Sequence, residues 1–375
     1  MSGDRKREWI AVVAGALLLS GCAIGGSVTQ TATKLAGSKS CRGSLPVQVV
    51  HRLRRDWARP TRHLLSAFAS HEPVSSEVVA EVQSRSSNIV ALVKPGTWQT
   101  VAAIERLPSD MGAGGAFDQN YAVYMVYRDL GGGVVKVWRR ATGTVTTVSV
   151  THRDRQGRPV EGGWEDPVLE DGYAAWTEGL TADGLSQLVL LDLASGKRFV
   201  VRRGHVGWFA IVGHQLVWAE SLHPGQMTTM LAVDLRTRAP APLPRALRSV
   251  RGGWGFVSDG TAIGWVGGSK SDQVYLARSP SEPAVAVATD LGRGGFSPPL
   301  ALGGGVLGVT ISAQGLILVD AKTLRYTVLD EAYGATTVGS TLFVSQFNSA
   351  RKTMDLPDPA PITSTDLAGM RCSNQ

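Results

Sequence analysis

Charge is scarce in this chain: Asp, Glu, Lys and Arg make up 18% of its 375 residues, against roughly 25% in an ordinary soluble domain. That shortage excludes a long solvated helix, a coiled coil and a disordered polyelectrolyte. Cysteine is scarcer still, with three, so a disulfide-dense scaffold is excluded. No stretch holds eighteen consecutive apolar residues, so none is long enough to cross a bilayer of ~30 Å as a helix. Catalytic and metal signatures are missing as well. The seven histidines form no HExxH or HxH spacing, and neither GxSxG nor CxxC occurs. No cofactor or metal is expected on these grounds. A GxGxxG string at Gly303–Gly308 has no helical segment after it, so it reads as a tight turn between strands.

Glycine and tryptophan are in surplus instead. The 44 glycines are nearly twice the usual ~7%, and 10 tryptophans outnumber 8 phenylalanines and 7 tyrosines. This composition suits many short strands joined by tight turns. The net charge of +7 suits attraction to anionic lipid or wall polymer. No basic helix with interleaved aromatics points to nucleic acid.

The N-terminus carries an address. Arg5, Lys6 and Arg7 precede an apolar run from Ile10 to Leu18, the plan of a secretory signal. It ends in Leu19-Ser20-Gly21-Cys22, which resembles the lipobox of bacterial lipoproteins. The resemblance implies cleavage before Cys22 and acylation of its thiol, with palmitate-type chains holding the exported protein on a membrane. An ordinary signal with a chance cysteine is the alternative. Residues 1–21 are then a signal peptide and 22–44, small and polar, a flexible tether. Residues 45–87 form a small basic segment and 349–375 a C-terminal tail. Cys41 and Cys372 flank the region between; in an oxidising compartment they are candidates for one disulfide, with two free thiols as the alternative.

Between residues 88 and 348 the chain repeats itself. Tyr124, Trp176, Trp218, Trp265, Val309 and Val344 each close an apolar run that follows a turn signal. A second set, Arg139, Asp192, Asp234, Arg278 and Asp320, ends the next apolar strand at nearly the same period. A four-stranded unit of ~40–50 residues is one β-propeller blade. The expected architecture is all-β, a six-bladed propeller, with five or seven blades as alternatives. Residues 88–104 align without a gap on 315–331, so they are expected to complete the blade begun by 335–348 and close the ring. The clearest copy, GYAAWTEGLTADGLSQLVLLDLASGK at 172–197, is similar to the repeats of TolB-like and WD-type propellers. GLILVDAKT at 315–323 also resembles the propellers of outer-membrane assembly lipoproteins. These resemblances imply a fold.

One constellation recurs beside the strands. Gly163-Trp164, Gly207-Trp208, Gly253-Trp254 and Gly295-Phe296 precede successive blades, with Glu161, His205, Arg251 and Arg293 three residues before each aromatic. Ring symmetry gathers these around one channel mouth. His205, Arg251 and Arg293 there suit a carboxylate or phosphate, and Trp164, Trp208, Trp254 and Phe296 complete a candidate ligand face. Alternatively the aromatics pack between blades. Trp176, Trp218 and Trp265 are expected in the core, and the acidic pairs Glu165-Asp166 and Asp330-Glu331 on the surface. The chain thus reads as a non-catalytic binding or scaffold lipoprotein for an envelope protein, peptide or anionic wall component. A propeller-type lyase or glycan hydrolase working at the channel mouth is the alternative.

Overall fold

The computed structural model describes residues 41–58, 64–70, 77–84, 86–128, 133–160, 165–221, 229–250, 254–267, 273–289, 296–311, 315–330, 332–346 and 359–372. The signal, Cys22 and the tether up to residue 40 lie outside them. Strand β1 (Cys41–Ser44) and helix α1 (Val47–Trp57) open the described region. Four strands follow, β2 (Leu64–Ala67), β3 (Val78–Gln83), β4 (Ser87–Lys94) and β5 (Gln99–Pro108), then β6 (Met111–Phe117), β7 (Tyr121–Arg128), β8 (Gly133–Arg139) and β9 (Thr144–Ser149). Next come β10 (Val168–Glu170), β11 (Tyr173–Gly179), β12 (Ser186–Asp192), β13 (Lys197–Val212), β14 (Gln215–Ser221) and β15 (Thr229–Asp234). The remainder are β16 (Trp254–Ser258), β17 (Ile263–Gly267), β18 (Gln273–Ala277), β19 (Val285–Thr289), β20 (Phe296–Gly303), β21 (Val306–Ile311), β22 (Gly315–Asp320), β23 (Arg325–Leu329), β24 (Ala332–Val338), β25 (Thr341–Gln346), β26 (Ala360–Ile362), helix α2 (Ser364–Ala368) and β27 (Arg371–Cys372).

These strands make six sheets in a six-bladed β-propeller arrangement, as expected, antiparallel apart from the pairing of β1 with β23. The sheet β10–β15 is continuous through the long strand β13. Its Lys197–Gly204 half pairs with β12, and its His205–Val212 half pairs with β14. That one sheet therefore contains two of the sequence repeats.

The first landmark set forms the seams between repeats. Trp176 is fully buried with Ala116 and Val123 of the preceding sheet and Leu191 of its own. Trp218 packs against Leu188 and Leu190 across the bend in β13, and Trp265 against Val217 and Met230. The second set closes the turns. Asp192, Asp234 and Asp320 accept backbone N–H bonds from residues two or three positions on, the Asx-turn geometry. The fourth residue after each then takes a left-handed backbone, at Gly196 (φ 68°), Arg238 (φ 61°) and Leu324 (φ 60°). Only the first is a glycine, so the turn is imposed by the aspartate and the strands, at some local cost.

Closure of the ring departs from the expectation. Residues 88–104 do occupy the position that their alignment with 315–331 implies: β4–β5 and β22–β23 are both third-and-fourth-strand hairpins. They do not complete the sheet of residues 335–348. The first two strands of their sheet come from β2 and β3, inside the segment 45–87 that reads as a separate basic region. The propeller therefore begins at Leu64. Sheet β24–β25 is joined by β26 instead. The ring is stapled by two residues: Ala69 exchanges backbone hydrogen bonds with Gly115 and Phe117 of β6, and Ser70 with Thr337 and Gly339 beside β24.

The two ends of the chain do share a sheet, through other strands. β1 lies parallel to β23 on the outer edge of β20–β23 and antiparallel to β27, which covers an edge otherwise open to pairing. Cys41 is disulfide-bonded. Helix α1 buries Val49, Leu53 and Trp57 at i, i+4 and i+8 against Val344, Ile362 and Leu367. Trp57 Nε1 donates to the Val344 carbonyl at 3.0 Å. Arg52 grips Asp366 with both Nη atoms at 2.9 Å.

Candidate functional site

The inner strands of a propeller surround its channel, and each starts at the same mouth. The second half of β13 starts at His205, β16 at Trp254 and β20 at Phe296, so the backbone places these three at equivalent points of the ring. His205 is half-buried, and Trp208 packs against the core around Ala210, Val212 and Val217. Trp164, Arg251 and Arg293 lie outside the described residues, as do the side chains of Trp254 and Phe296.

A different constellation is built at the next inner strands. Of the pair expected on the surface, Asp166 is exposed and Glu165 half-buried; both lead into β10, and Asp166 meets β6 of the neighbouring sheet. Three of the seven residues of β6 are glycine (Gly112, Gly114 and Gly115), which weakens a strand unless something approaches closely. Here something does: a Cβ on Gly114 would stand 2.2 Å from Asp166 Oδ1. From the other side, Glu81 of β3 accepts the Ala113 N–H of β6 and a bond from Asn88. Asn88 Nδ2 also donates to the Met111 carbonyl at 2.6 Å. Tyr127 of β7, 38% exposed, stands over Gly112, where a Cβ would be 2.8 Å from its ring. Three sheets therefore contribute to one acidic wall.

Its electrostatics are unusual for carboxylates. Burial pushes Glu165 up to about 8, with the Asp166 charge adding to the effect. Burial, reinforced by Asp166, raises Glu81 to about 7 against the opposing hydrogen bonds from Ala113 and Asn88. Asp166 is itself raised by burial to about 6, although its side chain keeps solvent-accessible surface. Tyr127 is held neutral by burial and by the charges of Asp166 and Glu81. Three oxygens of the wall, Glu81 Oε1, Asn88 Oδ1 and Glu165 Oε2, are sealed from solvent and receive no hydrogen bond. Glu81 and Asn88 are only 4% and 6% exposed. An unpaired buried acceptor costs about 1–3 kcal/mol, so each of these oxygens calls for a donor.

A second buried carboxylate contrasts with these. Glu178 of β11 accepts bonds from Trp176 Nε1 at 2.8 Å, Gln187 Nε2 at 2.6 Å, Arg198 Nη2 at 2.6 Å and Ser149 Oγ. Burial alone would raise it, but these donors outweigh that and hold it at about 2. Every one of its lone pairs is engaged, so it is a structural rivet between sheets. Glu105, bonded to Tyr124 Oη at 2.7 Å and to Lys136, has the same role at the preceding seam.

Comparisons with known proteins define the class and no more. No family model and no curated protein matches the sequence. Among solved structures, the chain is similar to an oligogalacturonate lyase from Vibrio parahaemolyticus, at 10% identity and TM-score 0.50, over 77% of this chain and 89% of that one. An uncharacterized protein of Listeria monocytogenes is similar at 9% identity and TM-score 0.49, over 76% and 90%. So is an essential surface component of the type-IX secretion system of Porphyromonas gingivalis, at 13% identity and TM-score 0.48, over 83% of this chain and 38% of that one. The chain is a β-propeller, and at these identities the likeness concerns the fold alone.

Proposed function

We propose that this chain is an exported, lipid-anchored β-propeller that binds a component of the bacterial envelope at its channel without transforming it. The observation that carries the reading is the acidic wall: Glu81, Asn88 and Glu165 present buried acceptors with no donor, which a ligand would supply. Anchoring rests on the Leu19-Ser20-Gly21-Cys22 box. Native mass spectrometry of full-length protein extracted from its own membranes is expected to show a bound species. That species is lost from the Glu81→Gln/Glu165→Gln variant and leaves the protein chemically unchanged. Its absence from the wild-type protein would reject the binding reading.

Enzyme chemistry is the second reading, and one observation favours it. Glu165 and Asp166 are adjacent carboxyls pushed to different values, about 8 and about 6, which is how paired acids divide proton donation from proton acceptance. Release of an altered species in the same experiment would decide for it. The lyase likeness does not supply the substrate. An oligogalacturonate carries a carboxylate on each sugar, and an acidic wall repels it.

Two further outcomes belong to this reading. Cys22→Ala is expected to move the protein from the membrane to the soluble fraction, and membrane retention would remove the lipid anchor from the proposal. We assign Cys372, whose strand lies beside that of Cys41, as the disulfide partner of Cys41. Non-reducing peptide mapping is expected to recover the two as one crosslinked pair; a free, alkylatable Cys372 would overturn the assignment.

A further inference from the structure

The acidic wall also carries information about what it binds. Its donor set is all oxygen: three carboxylates and the Asn88 amide. Oxygen sets suit hard cations in general, so the choice lies between a metal ion and an organic cation. A metal needs its ligand oxygens converged on one point at 2.0–2.6 Å. Among the described residues no group of three His, Cys, Asp or Glu side chains is placed to do this. The wall is instead spread over three sheets, from Glu81 on β3 to Glu165 ahead of β10. Oxygens spread in this way suit an ion whose several N–H donors point in different directions.

Two features beyond the charge agree with that geometry. Glu81 Oε1 and Asn88 Oδ1, both on nearly fully buried side chains, lack donors, and so does Glu165 Oε2. Such acceptors are satisfied by the N–H groups of an ammonium or guanidinium. Tyr127 presents a partly exposed ring beside Asp166 and Glu81, and an aromatic face next to carboxylates is the partner of an ammonium or guanidinium. Asp166, the solvent-accessible member, is the first group such a ligand meets.

We propose that Glu81, Glu165 and Asp166, with Tyr127 as an aromatic face, form a site for an organic cation whose ammonium or guanidinium group brings several N–H donors. The inference rests on the binding reading above and narrows it to a chemical class. The source is either a free amine or a basic side chain of an envelope protein, and the chemistry at the wall is the same.

Isothermal titration of the full-length protein in detergent micelles tests it with four probes. Agmatine carries both a guanidinium and an ammonium. It is expected to bind with one-to-one stoichiometry and to weaken at least about tenfold in Glu165→Gln, the effect of losing a charge-assisted bond. Tetramethylammonium, a cation without N–H donors, is expected to bind at least about tenfold more weakly than agmatine. Tetralysine binding with the same loss in Glu165→Gln assigns the cation to a protein partner, whereas tetralysine silence beside agmatine binding assigns it to a free amine. Calcium that displaces agmatine one-for-one at lower concentration overturns the inference, and so does tetramethylammonium binding as tightly as agmatine. Agmatine silence also overturns it. If the species recovered from membranes lacks an amine or guanidine, the organic-cation class falls while the binding reading stands. Thermal melts of Glu165→Gln confirm that its folded state is intact.

Discussion

Glu178→Ala is expected to lower the folding free energy by about 3–5 kcal/mol, the usual consequence of removing one partner from a buried charged network. Glu178 is 7% exposed and collects Trp176, Gln187, Arg198 and Ser149. Alanine leaves the indole N–H of a fully buried tryptophan and the amide of Gln187 without acceptors, each at a desolvation cost. Ser149 belongs to β9 and the other donors to the next sheet, so the loss opens a seam between repeats. The midpoint of urea unfolding reads the effect. Glu178→Gln, which keeps an acceptor, is expected to lose distinctly less. Acid gives an independent check. The carboxyl is held at about 2 when folded, below its usual 4.5, so its stabilisation is full above pH 4.5 and disappears as pH falls toward 2. The alanine variant is expected to have a flatter stability profile across that window. A variant as stable as the wild type, with the same acid dependence, would show that Glu178 is dispensable.

The repeats are legible in the sequence because packing and turn chemistry recur. Trp176, Trp218 and Trp265 return once per unit since each fills a wedge between sheets, and Asp192, Asp234 and Asp320 return since each closes an Asx turn. Closure is not legible, for an equally physical reason. Leu64–Ala67 and Val78–Gln83 form a short first strand and a second strand with none of the turn-plus-tryptophan signature, because their sheet is stapled through Ala69 and Ser70 instead. The acidic wall leaves no local motif. Glu81, Asn88, Tyr127 and Glu165 come from three sheets, and Glu81 within VVAEVQ looks like the polar position of an edge strand. One signal is present: glycine at 112, 114 and 115 inside an apolar strand, where the missing side chains make room for Asp166 and the Tyr127 ring.

The acidic wall should act on stability in the opposite sense to Glu178. Glu165 and Glu81 titrate near 8 and 7 in the folded protein and near 4.5 in the unfolded chain. Between those values the folded state holds protons that the unfolded state has released. Stability is therefore full below pH 4.5 and falls as pH rises through 7 and 8. The whole decline is on the order of 2–4 kcal/mol, less than the two shifts taken separately, since the groups interact with Asp166 and titrate together. Glu165→Gln is expected to remove much of it and to stabilise the ligand-free protein at pH 8.5. The glutamine amide cannot ionise, and its N–H groups face a wall that has acceptors to spare. Thermal unfolding of wild type and variant at pH 5.5 and 8.5 measures this, and a wild-type stability that rises over that interval would contradict it. A cation seated on the wall should stabilise the wild-type protein progressively more as pH increases, because only the ionised wall attracts it. The cost that burial places on these carboxylates is thus the same free energy that a positively charged ligand recovers.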